Sequence, residues 1–383
     1  MDACKPPAPA LRARLGDLAG RREDHPPMSA IRHIDVFTGR RLPPPGEEVR
    51  HIGQEDAPAW LVGPAFFDPQ VNGYAGVDFN DPAVDPAAVE GAVAAMSAAG
   101  CDHLLITLIT APDDFYEHQL DRLAGAIGRS RLLTGAVLGI HLEGPSISPR
   151  AGYAGAHDAR HARAPDWARF QRWQALSGGR IRLVTLAPEW ESAESFIRAA
   201  AGSGVQVALG HTDASLEQLQ RAVRAGAGLF THLGNACPPE IPRHDNIIQR
   251  VLAVPELTVS LIPDGIHLPP FVLSNLARAL GPSRLAMTTD AAPPAGAPCG
   301  RFRFAGRELN VAEDRVVQSP DGPGYFGSAL SMIEGFYNCV AFGGLSAELA
   351  WRAWTHLRRR FAPDLEPARI AVPFGVVPPG EKA

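Results

Sequence analysis

Between residues 65 and 291 the chain repeats one unit: a short apolar run, a polar or glycine-rich loop, then an amphipathic stretch. The apolar runs are "AFFDPQVN" (65–72), "HLLITLIT" (103–110), "AVLGIHLE" (136–143), "IRLVTLAPE" (181–189), "VQVALGHT" (205–212), "AGLFTHLGN" (227–235), "LTVSLIPDG" (257–265) and "RLAMTTDA" (284–291). Strands that are apolar almost throughout, alternating with helices, belong in a parallel sheet covered on both faces. The linking segments have the period of the covering helices. In "DASLEQLQRAVRAG" (213–226) Leu216, Leu219 and Val223 share one helical face, Ser215 and Gln218 offer a capping box, and Gly226 a stop. The polar residues then decide between an open sheet and a closed one. Gln70, Asn72, Glu143, His211, His232, Asp264 and Asp290 all stand at or just past the ends of the apolar runs. A barrel gathers those positions at one mouth, where enzymes of this architecture keep their active sites; an open sheet spreads them along an edge. The expected fold is therefore α/β, a (β/α)8 TIM barrel.

The flanks read differently. Residues 29–64 are β-rich in pattern, and "GRFRFAGRELNV" (300–311) alternates after the turn-forming "PPAGAPCG". The expected organisation is a loose N-terminal extension over 1–28, with Met28 as an alternative start, and part of a small β-rich domain over 29–64. The barrel follows over 65–299, then a β insertion completing the small domain over 300–326, and C-terminal helices and tail over 327–383. The tail "RIAVPFGVVPPGEKA" shows no clear final strand, which predicts a reduced side domain.

Composition narrows the function classes. A net charge of −5 without a basic cluster argues against a nucleic-acid partner. The longest basic run, Arg358-Arg359-Arg360, reads as a solvated helix end. No apolar stretch approaches the ~18 residues of a membrane span, and the first residues lack a signal peptide's apolar core. Five cysteines, an odd number without a CxxC pair, suit a reducing, cytoplasmic setting.

Three strand-end residues have metal-ligand chemistry: Glu143, His211 and His232. Two imidazoles and a carboxylate with room for water form a common catalytic zinc set, although iron, manganese and cobalt accept the same donors. Asp290, at the end of the eighth run, could take a proton from a water that the metal activates. Each residue alone has a bland reading: a satisfied polar histidine, a turn carboxylate before Gly144-Pro145, a loop cap before "AAPPAG". Their joint arrival at one mouth favours the metal site.

Taken together, "HLEGP" (141–145), "GHTDAS" (210–215), "THLGNA" (231–236), "PDGIH" (263–267), "TTDA" (288–291) and "FGSALSMIEG" (326–335) resemble the N-acetylglucosamine-6-phosphate deacetylases of the amidohydrolase superfamily. The resemblance runs in order over roughly residues 60–345. It implies a (β/α)8 barrel with a small β-sandwich formed from the barrel's flanking segments, and hydrolysis of an N-acetylated amino sugar 6-phosphate to acetate and the free amine. It also implies roles: Glu143, His211 and His232 as ligands of a divalent ion, with Asp290 as general base and then general acid. His267 would polarise the acetamide carbonyl, and His157 would touch the sugar. Asn235, Ala236, Phe326 and Gly327 would bind substrate, the first two partly through backbone. Arg243 would hold the 6-phosphate across a homodimer interface, its planar fork suiting that anion.

The chain departs from the family pattern in places. Where many superfamily members carry His-x-His for a second metal, it has Gln70-Val71-Asn72, and amides are poor ligands for transition metals. One ion per chain, zinc first, is the expectation. The Glu143–His157 loop is two residues longer than the common family spacing, which keeps His161 as a substitute for His157. "PPEIPRHDN" (238–246) places His244 and Asp245 beside Arg243, which opens a second reading with another N-acyl amino sugar or a cyclic amide as substrate. A third reading is a sugar-binding barrel without turnover.

Overall fold

The computed structural model describes residues 32–43, 46, 48–52, 59–318 and 324–374. The expected extension over 1–28, with Met28, lies outside them. Four strands precede the barrel: β1 (Arg32–Asp35), β2 (Arg41–Leu42), β3 (Val49–His51) and β4 (Ala59–Pro64). The first barrel strand, β5 (Phe66–Val71), leads into a small hairpin of β6 (Gly73–Tyr74) and β7 (Val77–Asp78). The other barrel strands are β8 (Cys101–Leu108), β9 (Val137–Glu143), β10 (Ile181–Leu186), β11 (Gln206–Leu209), β12 (Leu229–Phe230), β13 (Thr258–Leu261) and β14 (Leu285–Met287). A second hairpin follows, β15 (Gly300–Phe304) and β16 (Arg307–Val311), and β17 (Arg369–Pro373) is the last strand.

The eight barrel strands pair in chain order, each parallel to its neighbour. A parallel bridge between Val71 and Ala291 joins the end of β5 to the segment after β14 and closes the ring. This is a (β/α)8 barrel. Its helices are capped as their sequence suggests: in Leu216–Ala225, Ser215 and Gln218 form a reciprocal capping box, and Gly226 follows at a positive φ of 124°. Inside the barrel, Phe67, Leu105, Leu183, Ala208, Leu229 and Ala286 form one apolar layer with Leu357 and Phe361 from the C-terminal helices. Farther along the strands the interior turns polar. The two-residue period of a strand puts Gly139, His141 and Glu143 of β9 on one face, which carries the change from filler to chemistry. Outside, Phe66 meets Trp351 at a ring distance of 4.9 Å, and the Trp351 indole donates to the Pro64 carbonyl at 2.9 Å. Among the described residues no helix is long and apolar enough to cross a membrane.

Three sequence expectations need correction. First, the tail does supply a strand. β17 lies between β4, antiparallel, and β3, parallel, in a five-stranded mixed sheet of order β2-β1-β4-β17-β3. Its apolar core is only Ile370-Ala371-Val372, fenced by Pro367 and Pro373, so the sequence reads as loop; in the sheet those three are fully buried. Second, the insertion over 300–326 does not complete that sheet. β15 and β16 pair with each other, and Phe304, Leu309 and Val311 pack on Ile109, Ala292 and Phe326 at the barrel mouth. Alternation shows that a strand buries one face, not against what. Third, the basic run is solvated only in part: Arg359 and Arg360 are exposed, but Arg358 is buried and donates to the carbonyls of Ala362 and Leu365.

Candidate active site

At the end of β9 the Glu143 carboxylate is buried and surrounded by imidazoles. Its Oε1 lies 2.7 Å from His232 Nε2 and 3.1 Å from His211 Nε2, and its Oε2 lies 3.3 Å from His157 Nε2. Burial works to raise the Glu143 carboxyl, but His211, His157 and His232 outweigh it and hold it well below the ordinary carboxylate range. Glu143, His157 and His211 offer ligand atoms all within 4.8 Å of one another. That close group differs from the Glu143–His211–His232 set expected from sequence, and the ring tautomers bear on the choice. His211 Nδ1 lies 3.0 Å from the Tyr153 carbonyl, which can only accept, so Nδ1 carries a proton and Nε2, now facing Glu143 Oε1, is the nitrogen left for an ion. His157 is the reverse. Its Nδ1 accepts from the Thr110 amide at 3.2 Å, and burial lowers its pKa to about 4, so the neutral ring carries its proton on Nε2. His157 is thus arranged as a donor and His211 as a ligand. His232 Nδ1 has no partner among the described residues.

Local structure explains these placements. His211, His232 and Asp290 all have positive φ, at 51°, 32° and 49°, as does Ala236 at 47°. Such backbone is uncommon for residues other than glycine and concentrates where a site dictates side-chain direction. Gly144 has φ 94°, and a Cβ there would meet Thr110 Oγ1 at 2.2 Å. The glycine after Glu143 therefore lets Thr110 close on His157, to whose Nδ1 its hydroxyl lies at 2.8 Å. Below Glu143, His141 is bound to Thr185 Oγ1 at 2.8 Å, and Thr185 to Thr231 at 2.8 Å. Burial pushes His141 down to about 4, so this floor is neutral.

Asp290 faces the same space. Gln70 Nε2 and Asn72 Nδ2 both donate to its Oδ1, at 2.9 and 2.8 Å. Burial, then the nearby Glu143 charge, pushes its carboxyl up to about 6. Asp68, also buried, accepts from Thr288 Oγ1 at 2.7 Å and from the Thr289 amide at 3.2 Å, pinning the residues before Asp290 to the first strand. His267 Nδ1 lies 2.5 Å from Asp264 Oδ2, while its Nε2 is buried with no partner among the described residues.

Glu143, His157, His211, His232, Asn235, Ala236, His267, Asp290 and Gly327 line one cavity of about 890 Å³. Phe326 is buried in the hairpin cluster behind that wall. Two expected residues stand apart: Arg243 is exposed and does not line the cavity of its own chain, and His161 also lies outside it, beside Asp158 at 3.9 Å. The amide pair on Asp290, Asp68, Thr110, His141 and Arg307, which lines the cavity, were not singled out for these positions from sequence. The period of β9 could have flagged His141; the others depend on contacts across the fold.

No family model matches the chain. It is 32% identical over 262 residues to the N-acetylglucosamine-6-phosphate deacetylase of Lysinibacillus sphaericus, a match covering 68% of this chain and just under two thirds (66%) of that relative. It is 33% identical over 308 residues to the N-acetylgalactosamine-6-phosphate deacetylase of Escherichia coli O157:H7, covering 80% of this chain and 79% of that one. Its structure resembles the N-acetyl-D-glucosamine-6-phosphate deacetylase of Mycobacterium smegmatis solved with N-acetyl-D-glucosamine-6-phosphate. The TM-score is 0.76 at 29% identity, over 89% of this chain and 94% of that chain. The chain belongs to the N-acetylglucosamine-6-phosphate deacetylase family of the amidohydrolase superfamily.

Proposed function

We propose that this protein is a metal-dependent hydrolase that removes the acetyl group of N-acetylglucosamine 6-phosphate, acting in the cytoplasm as a homodimer. The observation that carries this reading is the buried Glu143 carboxylate between His211 and His232, with Asp290 at the same barrel mouth.

The donor set fits one divalent ion, with zinc the first choice. Glu143 is anionic, His211 turns its Nδ1 to the Tyr153 carbonyl and so directs Nε2 at Glu143, and His232 shares the same carboxylate oxygen. A cation there would take over the role of the protons now shared between carboxylate and rings. Gln70 and Asn72 turn their NH2 groups to Asp290, and amides are poor ligands for a transition metal, which supports one ion rather than two. The ion supplies Lewis-acid polarisation and lowers the pKa of water.

The chain's own residues do the rest. Asp290 takes a proton from the attacking water, whose oxygen bonds to the acetyl carbon. The C–N bond then breaks as Asp290 returns the proton to the departing nitrogen. A carboxyl pushed up to about 6 can both accept and return that proton near neutral pH. His267, fixed through Asp264, turns Nε2 toward the acetamide oxygen, and His157, on the cavity wall, touches the sugar. Backbone groups at Asn235, Ala236 and Gly327 complete the wall, with Phe326 behind, and Arg243 reaches the 6-phosphate from the neighbouring subunit.

Acetate release from N-acetylglucosamine and N-acetylgalactosamine, each with and without 6-phosphate, tests the reading. Preferential turnover of N-acetylglucosamine 6-phosphate supports it, and acetate from none of the four overturns it. A second reading, another N-acyl amino sugar or a cyclic amide, is favoured by His244 and Asp245 beside Arg243 and by the likeness to a galactosamine enzyme. Faster turnover of the galactosamine or unphosphorylated substrates would select it.

A further inference from the structure

A phosphate entering the cavity meets carboxylates on its walls. Glu143, Asp158 and Asp290 line it, and Asp158 is already paired with Arg160 at 2.6 Å. Among the described residues its walls carry one Lys or Arg side chain, that of Arg307. Arg307 was not marked by any motif. It opens β16 directly after the tight turn of the mouth hairpin, where Phe304 pairs with Arg307 across Ala305 and Gly306.

That position is built rather than incidental. Ala305 and Gly306 both have positive φ, 48° and 80°, the backbone of a two-residue turn whose twist matches its strands. The Ala305 amide donates to Asp78 Oδ2 at 2.8 Å, and the other oxygen of Asp78 accepts from the Asn80 amide at 2.7 Å. Asp78 is buried, so the turn is latched to the barrel by a fixed carboxyl. The guanidinium carbon lies 5.1 Å from the centre of the Phe326 ring, a cation–π contact that helps hold it at the mouth. Phe326 precedes Gly327, where an added Cβ would lie 3.4 Å from the Asp290 carbonyl. A short, packed path therefore runs from the proposed base to this cation.

We propose that Arg307 is the chain's own contact for the 6-phosphate, and that it sets the preference for phosphorylated over plain amino sugars. The inference rests on the deacetylase reading above. A dianion entering among carboxylates needs a compensating cation, and a guanidinium offers two parallel donors to phosphate oxygens. Arg243, exposed on its own chain, can add to the contact only from another subunit.

The test compares wild type with Arg307→Gln, which removes the charge and keeps a polar side chain, and Arg307→Lys, which keeps the charge without the fork. The readout is the ratio of kcat/KM for N-acetylglucosamine 6-phosphate to that for N-acetylglucosamine. Arg307→Gln is expected to lower the ratio about 10- to 150-fold, through KM, as loss of a charge-assisted hydrogen bond implies. Arg307→Lys should recover part of it. An unchanged ratio in Arg307→Gln overturns the inference while leaving the deacetylase reading intact. If wild type releases acetate from neither sugar, that reading fails, and calorimetric binding of inorganic phosphate decides the inference alone. Weaker binding to Arg307→Gln than to wild type supports it; equal binding to both, or binding to neither, overturns it.

Discussion

Replacing Gln70 by Met should move the acid limb of the pH–rate profile upward by about one unit. Gln70 is buried, does not line the cavity, and donates to Asp290 Oδ1 at 2.9 Å. Methionine has nearly the same length and no donor, so the change removes one hydrogen bond and little volume. A hydrogen bond to a charged group is worth about 1.5–3 kcal/mol. The protonated carboxyl keeps part of that interaction, so the lower end applies, and about 1.4 kcal/mol corresponds to one pKa unit. The sign follows from which form gains. The donor favours the carboxylate; without it the carboxyl, already pushed up to about 6, holds its proton to still higher pH. Asp290 must be ionised to accept the water's proton, so about half a unit above the wild-type midpoint kcat should fall about threefold, recovering about two units higher. A bound cation shifts the absolute position of both profiles, but not the difference between them. The assay is kcat against pH for both proteins at matched metal content. An acid limb that stays in place in a folded Gln70→Met protein would refute the proposed control of Asp290 by the amide pair.

Two further outcomes bear on the metal and the subunit arrangement. Glu143→Gln should lose most bound metal and nearly all turnover, because a neutral amide gives a dication far less stabilisation; metal titration of apo wild type should meanwhile saturate activity near one equivalent per chain. Full metal content in the variant, or saturation at two equivalents, would contradict the ligand assignment. Mixing Arg243→Ala chains with Asp290→Asn chains should restore some activity if Arg243 acts in the neighbouring site, since a mixed dimer has one site with both residues intact. No recovery in verified mixed dimers would refute action in trans.

The barrel was legible because its signal is local and repeated. Each apolar run announces a strand, and the polar residue ending it announces the mouth, so Glu143, His211, His232 and Asp290 could be gathered before any coordinate was known. What escaped sequence reading was set by partners far away in the chain. β17 is three apolar residues between prolines and is a strand only because β3 and β4 lie on either side of it. The hairpin over Gly300–Val311 alternates like any half-buried strand pair, and only the cluster with Ile109 and Phe326 reveals that it walls the cavity rather than extending the side sheet. Gln70 and Asn72 show the limit most clearly. From sequence they are two poor ligands where a histidine pair is common, which suggests one metal but gives the amides no task. Their partner is 220 residues away for Gln70 and 218 for Asn72. Once barrel closure brings β5 beside the segment after β14, both amides aim at one oxygen of Asp290. Amides that make poor ligands for a transition metal are well suited to holding a buried carboxylate in place, and here both orient the proposed base.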